Sequence, residues 1–275
     1  MNRRTFMVAL GLATTALGWP AQAAPHLPGR IVIVQNIGEA RALFTVDPNS
    51  GALKRIFDKN RQEDGPCISP DGQTLLFSAL SGGQGGWRTW AYDFASGRAR
   101  VIINSDSWPI CWLPGGRFIG NIGQDICIVD ASGHLEKTLR KDEAMPTTGD
   151  VGPGGQLIYG DAQEPVHLQV VDLSSGTARK LCAGGNPVVC PDGRTLLFQD
   201  GRGWQRIPIA GGTKSPVAGL PRNASNLHFS PDGKFAAWTS DMAGGGTKIV
   251  IATASFQPLK TISVPHGINT MTWGR

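Results

Sequence analysis

The chain has 275 residues, 40% of them hydrophobic and 17% charged, with 37 Gly and 19 Pro. That balance excludes a disordered protein and a coiled coil, and the high Gly and Pro content predicts many turns and short extended segments: an all-β chain. The formal charge is +5, two units of it on Arg3 and Arg4. No Lys/Arg run or basic-aromatic stripe follows, so no nucleic-acid partner is expected.

Residues 1–23 read as an export signal: a positive start, an apolar stretch from Phe6 to about Trp19, then Ala21-Gln22-Ala23 as a small-x-small cleavage site. Arg3-Arg4-Thr5-Phe6-Met7 resembles a twin-arginine signal, with a general secretory signal as the alternative. Either predicts a mature, periplasmic chain from Ala24 to Arg275. No later run reaches the roughly 18 apolar residues of a span, so no membrane span is expected in that mature chain.

From there the sequence repeats. SPDGQTLLFSA from Ser69, LPGGRFIGNI from Leu113, GPGGQLIYGD from Gly152, CPDGRTLLFQD from Cys190 and SPDGKFAAWTS from Ser230 follow one pattern. Their prolines, Pro70, Pro114, Pro153, Pro191 and Pro231, are 44, 39, 38 and 40 residues apart. A period near 40 with several strand signals per unit predicts propeller blades of four strands. In each unit a strand leads into the Pro-Asp-Gly or Pro-Gly-Gly turn and a second strand follows. Third strands are expected at residues 89–93, 125–130, 167–172 and 248–253, then a turn such as 93–97, then a fourth strand such as 100–103 or 178–181. Residues 30–59 lack an innermost strand. Residues 268–275, with Trp273 aligning to Phe229 and Trp112, supply it. The prediction is a six-bladed β-propeller closed by pairing the C-terminal strand with the N-terminal blade, which leaves no exposed edge inside the ring.

These blades, with a proline four residues before the turn proline at Pro66 and Pro187 and an Asp-x-x-Ser-Gly turn downstream, resemble the six-bladed propeller of the TolB type over about residues 30–275. The resemblance implies the six-bladed fold and a periplasmic envelope protein that binds protein partners through its propeller. It also implies that the additional N-terminal domain of TolB is missing here, since only a few residues separate Ala24 from the first strand. Propellers fused to prolyl-oligopeptidase-like hydrolases share this blade type, and no hydrolase domain is expected before Arg275.

For chemistry, Asp71, Asp192 and Asp232 read as turn residues whose carboxylates accept backbone N–H groups. Phe77, Phe198, Trp238, Trp112, Phe229 and Trp273 recur at equivalent positions and read as packing between blades. Trp87, Trp90 and Trp204 fall outside that register and are candidates for exposed contacts with a carbohydrate or peptide. No nucleophile elbow, His-Glu-x-x-His, phosphate loop or dinucleotide fingerprint is present. Cys67, Cys111, Asp150 and His228 share the position three before the proline, near the channel, and read as satisfied core residues ahead of ligands. The five cysteines, Cys67, Cys111, Cys127, Cys182 and Cys190, are expected to be buried thiols, with Cys182–Cys190 the one disulfide considered.

The expected functional surface is the channel mouth where the innermost strands begin, with Glu63, Asp64, Asp106, Ser107, Glu143, Asn186, Asn223, Asn226, His266 and Asn269 as the binding residues. A ring of carboxylates and amides there would favour a cationic or hydrogen-bonding ligand, a basic peptide segment or a metal ion. The reading is a monomeric, non-catalytic binding module for an envelope protein or peptide, without a cofactor. The alternative is a small-molecule hydrolase or lyase with a metal held at the channel.

Overall fold

The structure is a computed structural model that describes residues 25–57, 62–80, 86–141, 148–243 and 245–275. The proposed signal at residues 1–23 lies outside these. Among the described residues there are 24 strands and no helix, and hence no helix long and apolar enough to cross a membrane.

The strands form six four-stranded antiparallel sheets. Blade 1 contains β1 (Arg30–Ile37), β2 (Ala40–Val46) and β3 (Leu53–Arg55). Blade 2 runs through β4 (Glu63–Ile68), β5 (Thr74–Leu80), β6 (Trp87–Asp93) and β7 (Arg98–Ile103). Blade 3 consists of β8 (Ser107–Leu113), β9 (Arg117–Ile122), β10 (Asp125–Val129) and β11 (Leu135–Arg140). In blade 4 are β12 (Gly149–Gly152), β13 (Gln156–Gly160), β14 (His167–Asp172) and β15 (Ala178–Ala183). Blade 5 has β16 (Gly185–Val189), β17 (Thr195–Asp200), β18 (Gly203–Pro208) and a two-residue β19 (Ser215–Pro216). Blade 6 has β20 (Ser225–Phe229), β21 (Phe235–Asp241), β22 (Thr247–Thr253) and β23 (Pro258–Val264). The last strand, β24 (Ile268–Gly274), pairs with β1 and completes blade 1, with Ile31 opposite Trp273. The innermost strands touch in the order β24, β4, β8, β12, β16, β20 and back to β24, so the ring is closed as the sequence predicts.

Strand sequences follow from position in the ring. A second strand is covered on both faces by neighbouring blades, so it reads as a continuous apolar run instead of alternating with polar residues. Successive side chains then serve opposite interfaces. Phe77 and Leu75 pack with Val32 and Val34 of blade 1, whereas Leu76 between them packs with Phe118 and Val129 of blade 3. Ile31 and Ile33 turn the other way, onto Ala237 and Ile249 of blade 6. The core is therefore six hydrophobic wedges, one at each junction between blades. Phe77, Phe198 and Trp238 are among the largest buried side chains, in their expected packing role.

The turns that define the repeat interlock on one face. Asp71 accepts from Ser69 Oγ at 2.5 Å and Gln73 N at 3.0 Å. Asp232 does the same with Ser230 Oγ and Lys234 N, and Asp192 with the amides of Arg194 and Thr195. The following glycine has positive φ, 66° at Gly193 and 69° at Gly233. It also lies against the preceding blade: a Cβ on Gly193 would sit 2.3 Å from Pro153 Cγ, and one on Gly233 would sit 2.7 Å from Pro191 Cβ. The Pro-Asp-Gly turns of blades 5 and 6 thus use their glycine to seat the proline of the blade before, Gly72 of blade 2 seats the backbone of Arg275 in the same way, and the Asp holds the loop that does so.

Candidate functional site

At the opposite end of the inner strands the ladder to the second strand breaks. The register shifts between Asp64 and Cys67, Pro109 and Cys111, Gly185 and Val188, and Ser225 and His228. In three blades the residue five before the turn proline sits in the left-handed region: Gly65 at φ 59°, Asn186 at 52° and Asn226 at 50°. Glycine and asparagine are the residue types that adopt it most readily. A bulge of this kind turns two consecutive residues toward the same side, where a regular strand would present only one.

The result is a cavity of about 330 Å³ at the channel mouth, walled by all six blades. Gly65, Pro109, Thr148, Asn186, Asn226 and Thr270 form one layer, and Pro66, Ile110, Gly149, Pro187, Leu227 and Met271 form the next. Counted from the turn proline, with Arg275 in its place for β24, these are positions five before and four before in every blade. The first layer carries amides and hydroxyls. The second is an apolar girdle in which Pro66, Pro187, Leu227 and Met271 are buried.

One step further down, the residues three before the proline reach toward the next blade. Asp150 accepts from its neighbour Val151 N and, across the junction, from Val189 N, each at 2.8 Å. Burial raises the Asp150 carboxyl to about 6, and those two N–H groups pull in the opposite direction. His228 is lowered to about 4 by burial, opposed by its hydrogen bond to the Met271 backbone. Cys67 and Cys111 lean on the hydrophobic wedges between blades 2 and 3 and between blades 3 and 4. Burial pushes the Cys67 thiol up to about 12 and raises that of Cys111 strongly. Asp150 is satisfied across the blade junction as a core group would be, whereas His228, bonded to the Met271 backbone, also lines the mouth. Among the described residues, no three His, Cys, Asp or Glu side chains gather in a way that would hold a metal ion.

The predicted binding residues separate into two sets. Asn186, Asn223, Asn226 and Asn269 line the mouth. Asn186 Nδ2 donates to Gln199 Oε1 at 2.7 Å, and Asn226 Nδ2 to Thr239 Oγ1 at 3.1 Å and to the Asn269 carbonyl at 3.3 Å. Glu63 is buried, and its Oε2 accepts from Leu43 N at 2.8 Å in blade 1. Asp64 is 3% exposed and joins blades 1 and 2, accepting from Asn269 Nδ2 at 2.6 Å, Thr270 Oγ1 at 2.8 Å, Gly65 N at 2.8 Å and the Arg41 guanidinium. Ser107 is buried and bonded to Thr89. Asp106 is exposed and accepts from Trp87 N at 3.0 Å, His266 is exposed, neither lines the cavity, and Glu143 lies outside the described residues. The carboxylate that does line the mouth is Asp241, at the end of β21. Sequence reasoning missed it and, apart from Asn186 and Asn226, the residues of both layers. Counting residues back from each turn proline would have found the layers.

The off-register tryptophans are less exposed than expected. Trp204 is 4% exposed, with Nε1 donating to the Ala224 carbonyl at 3.0 Å, because it fills the junction between blades 5 and 6. Trp90 stacks on Phe77. Trp87 is half-buried against Trp108, ring centres 4.7 Å apart, with the Arg41 guanidinium 5.4 Å from its ring. All five cysteines are free thiols, so Cys182 and Cys190 are not bridged.

No family model and no curated protein sequence matches the chain. Solved structures do. TolB from Acinetobacter baumannii superposes with a TM-score of 0.72 at 16% identity, over 90% of this chain and 67% of that one. A putative TolB from Agrobacterium tumefaciens gives 0.64 at 16% identity, over 88% and 93%. A gluconolactonase from Xanthomonas campestris gives 0.57 at 15% identity, over 90% of each chain. At such identities the likeness is one of fold, and the same ring serves proteins with different tasks. The architecture is that of a TolB-type six-bladed β-propeller.

Proposed function

We propose that this protein is exported to the periplasm by the signal in residues 1–23 and acts there as a non-catalytic binding module, its mouth holding an extended peptide segment of an envelope protein. The observation that supports this is the pair of layers at the mouth. Peptide backbone offers alternating donors and acceptors. Asn186 and Asn269, each with one amide N–H bonded within the protein, offer a second donor and a carbonyl oxygen, and Asn226, whose two N–H groups are both used, offers its carbonyl oxygen, all on the rigid ends of different blades. The apolar girdle beneath, with Ile110, Pro187, Leu227 and Met271, suits one side chain of such a segment. The ring is closed, so presenting these groups requires little ordering on binding, which favours affinity.

The test uses Asn186→Gly combined with Asn226→Gly. Glycine retains the left-handed backbone and removes only the amide. Affinity capture from periplasmic extract should lose its dominant partner with this variant while the thermal unfolding midpoint stays close to wild type. An identical captured set from both proteins would refute the reading.

A further inference from the structure

We propose that the groove beside the mouth on blade 5 is a carboxylate subsite for the same peptide partner, so that the bound segment carries an acidic side chain or its C-terminus there; this rests on the peptide reading of the mouth. The groove has a volume of about 260 Å³ and is lined by Arg202, Lys214, Arg222, Trp204, Pro216 and Leu220, among others. Trp204 also walls the mouth, so the two cavities are neighbours separated by one side chain. A segment lying in the first can reach the second.

Three cations line this groove. Lys214 Nζ is 2.6 Å from Asp200 Oδ2, and the other oxygen of Asp200 accepts from Arg202 N at 2.8 Å. That carboxylate therefore holds the β17–β18 turn and Lys214 together. Arg222 is positioned differently. Its Nη2 donates to the Gly201 carbonyl at 3.1 Å, and its stem lies over Gly203, where a Cβ would be 3.0 Å from Arg222 Cγ. Gly203 has φ 109°, so the absence of a side chain there serves both the turn and the arginine. A carbonyl uses one of the five guanidinium donors and neutralises none of the charge. One carboxylate facing three cations leaves the groove positive.

The chemistry of the walls narrows the guest. Guanidinium forks match planar carboxylates in a bidentate way, and Leu220 and Pro216 offer apolar surface for the methylenes of an acidic side chain. This departs from the cationic ligand expected from sequence, because Glu63 and Asp64 are taken up by the seam between blades 1 and 2.

Pentaglutamate, pentaasparagine and inorganic phosphate are the probes, titrated into the full chain by calorimetry alongside tryptophan fluorescence. Pentaglutamate should bind saturably, weaken with added salt, and bind about tenfold more weakly to Arg202→Gln/Arg222→Gln, since charge-assisted bonds at exposed groups are worth about that. Arg202→Gln alone should give part of the loss. Pentaasparagine should not respond to the groove substitutions. Absence of pentaglutamate binding, or binding unchanged in the double variant, overturns the subsite. Inorganic phosphate displacing pentaglutamate at equal concentration also overturns it, since the groove would then take any small anion. Binding that is lost in the groove variant yet unchanged in Asn186→Gly/Asn226→Gly supports the subsite and refutes the peptide reading of the mouth.

Discussion

Replacing Asp64 by alanine should loosen the seam that closes the ring. Its carboxylate accepts four hydrogen bonds, three of them from blade 1: Arg41 on β2 and Asn269 and Thr270 on β24. Asp64 and Thr270 are 206 residues apart, so these bonds exist only in the assembled propeller. Not all four donors suffer equally when the acceptor goes. Asn269 is exposed and the Arg41 side chain is 32% exposed, so water takes over much of their bonding and the ion pair itself contributes little. The Thr270 hydroxyl and Gly65 N–H lie further in, and each donor left without an acceptor costs about 1–3 kcal/mol. Together with the lost share from Arg41 and Asn269 the expected destabilisation is about 3–5 kcal/mol, or roughly 10 °C in Tm for a chain of this size. Asp64→Asn keeps one acceptor and points an amide at two donors, so it should fall between. Equilibrium urea unfolding measures all three proteins, with Asp106→Ala as an exposed reference expected within about 0.5 kcal/mol of wild type. If Asp64→Ala unfolds within about 1 kcal/mol of wild type, the seam is held by the β1–β24 ladder alone and the reasoning fails.

Trp273→Ala removes a 6% exposed ring whose Nε1 donates to the Pro28 carbonyl at 2.8 Å, and should cost about 3–5 kcal/mol in the same assay; a loss under 1 kcal/mol would mean that β24 is not packed as described. His228 and Asp150 should oppose one another in acid. The His228 value drops from 6.5 to about 4 on folding, so its contribution is present above pH 6.5 and fades by about 3 kcal/mol as pH falls to 4; the Asp150 value rises from 3.8 to about 6, so its contribution is present below pH 4 and fades by a similar amount as pH rises to 6. Wild type should therefore have a shallow stability profile between pH 4 and 6.5, and His228→Gln should become less stable as pH rises through it; parallel profiles would refute the assignment. Cys67 and Cys111, with thiols raised by burial, should resist N-ethylmaleimide at pH 8 in the folded protein, and five thiols should titrate after unfolding without reductant. Fewer than five would reveal a disulfide.

The architecture was legible because it is repeated. A proline, an Asp and a glycine recurring every forty residues carry local turn chemistry, and the turn dictates where each strand starts. Trp273 could be aligned with Phe229 from sequence because both occupy one slot of that repeat. The mouth was legible only in part. Asn186, Asn223, Asn226 and Asn269 were found because they enter the inner strands. Glu63 and Asp64 enter them too, yet their partners Leu43 and Asn269 belong to another blade, and no local signal reveals that a residue will be used up by a contact so distant in sequence. Trp204 was misplaced for the same reason: its burial is supplied by Leu220, Ala224 and Leu227 of the following turn and blade.

The bulges account for the remaining difference and tie fold to site. With a strict period of two, the residues five and three before the proline would share a face and the one between them would be hidden. The left-handed residue at Gly65, Asn186 or Asn226 breaks that period, so adjacent positions line the mouth; of the third positions Val188 and His228 line it as well, while Cys67 packs into the junction between blades 2 and 3. Polar rim, apolar girdle and buried Asp150 and His228 are therefore consecutive residues of the same strands, stacked in depth. Asp64 takes up part of the rim of blades 1 and 2 to close the ring, so on the proposed reading recognition falls mainly to the asparagines of blades 5 and 6, next to the positively charged groove of Arg202, Lys214 and Arg222. The proposed binding site is therefore asymmetric although its scaffold is nearly symmetric, and a ligand there should contact the blade 5 and 6 side most strongly.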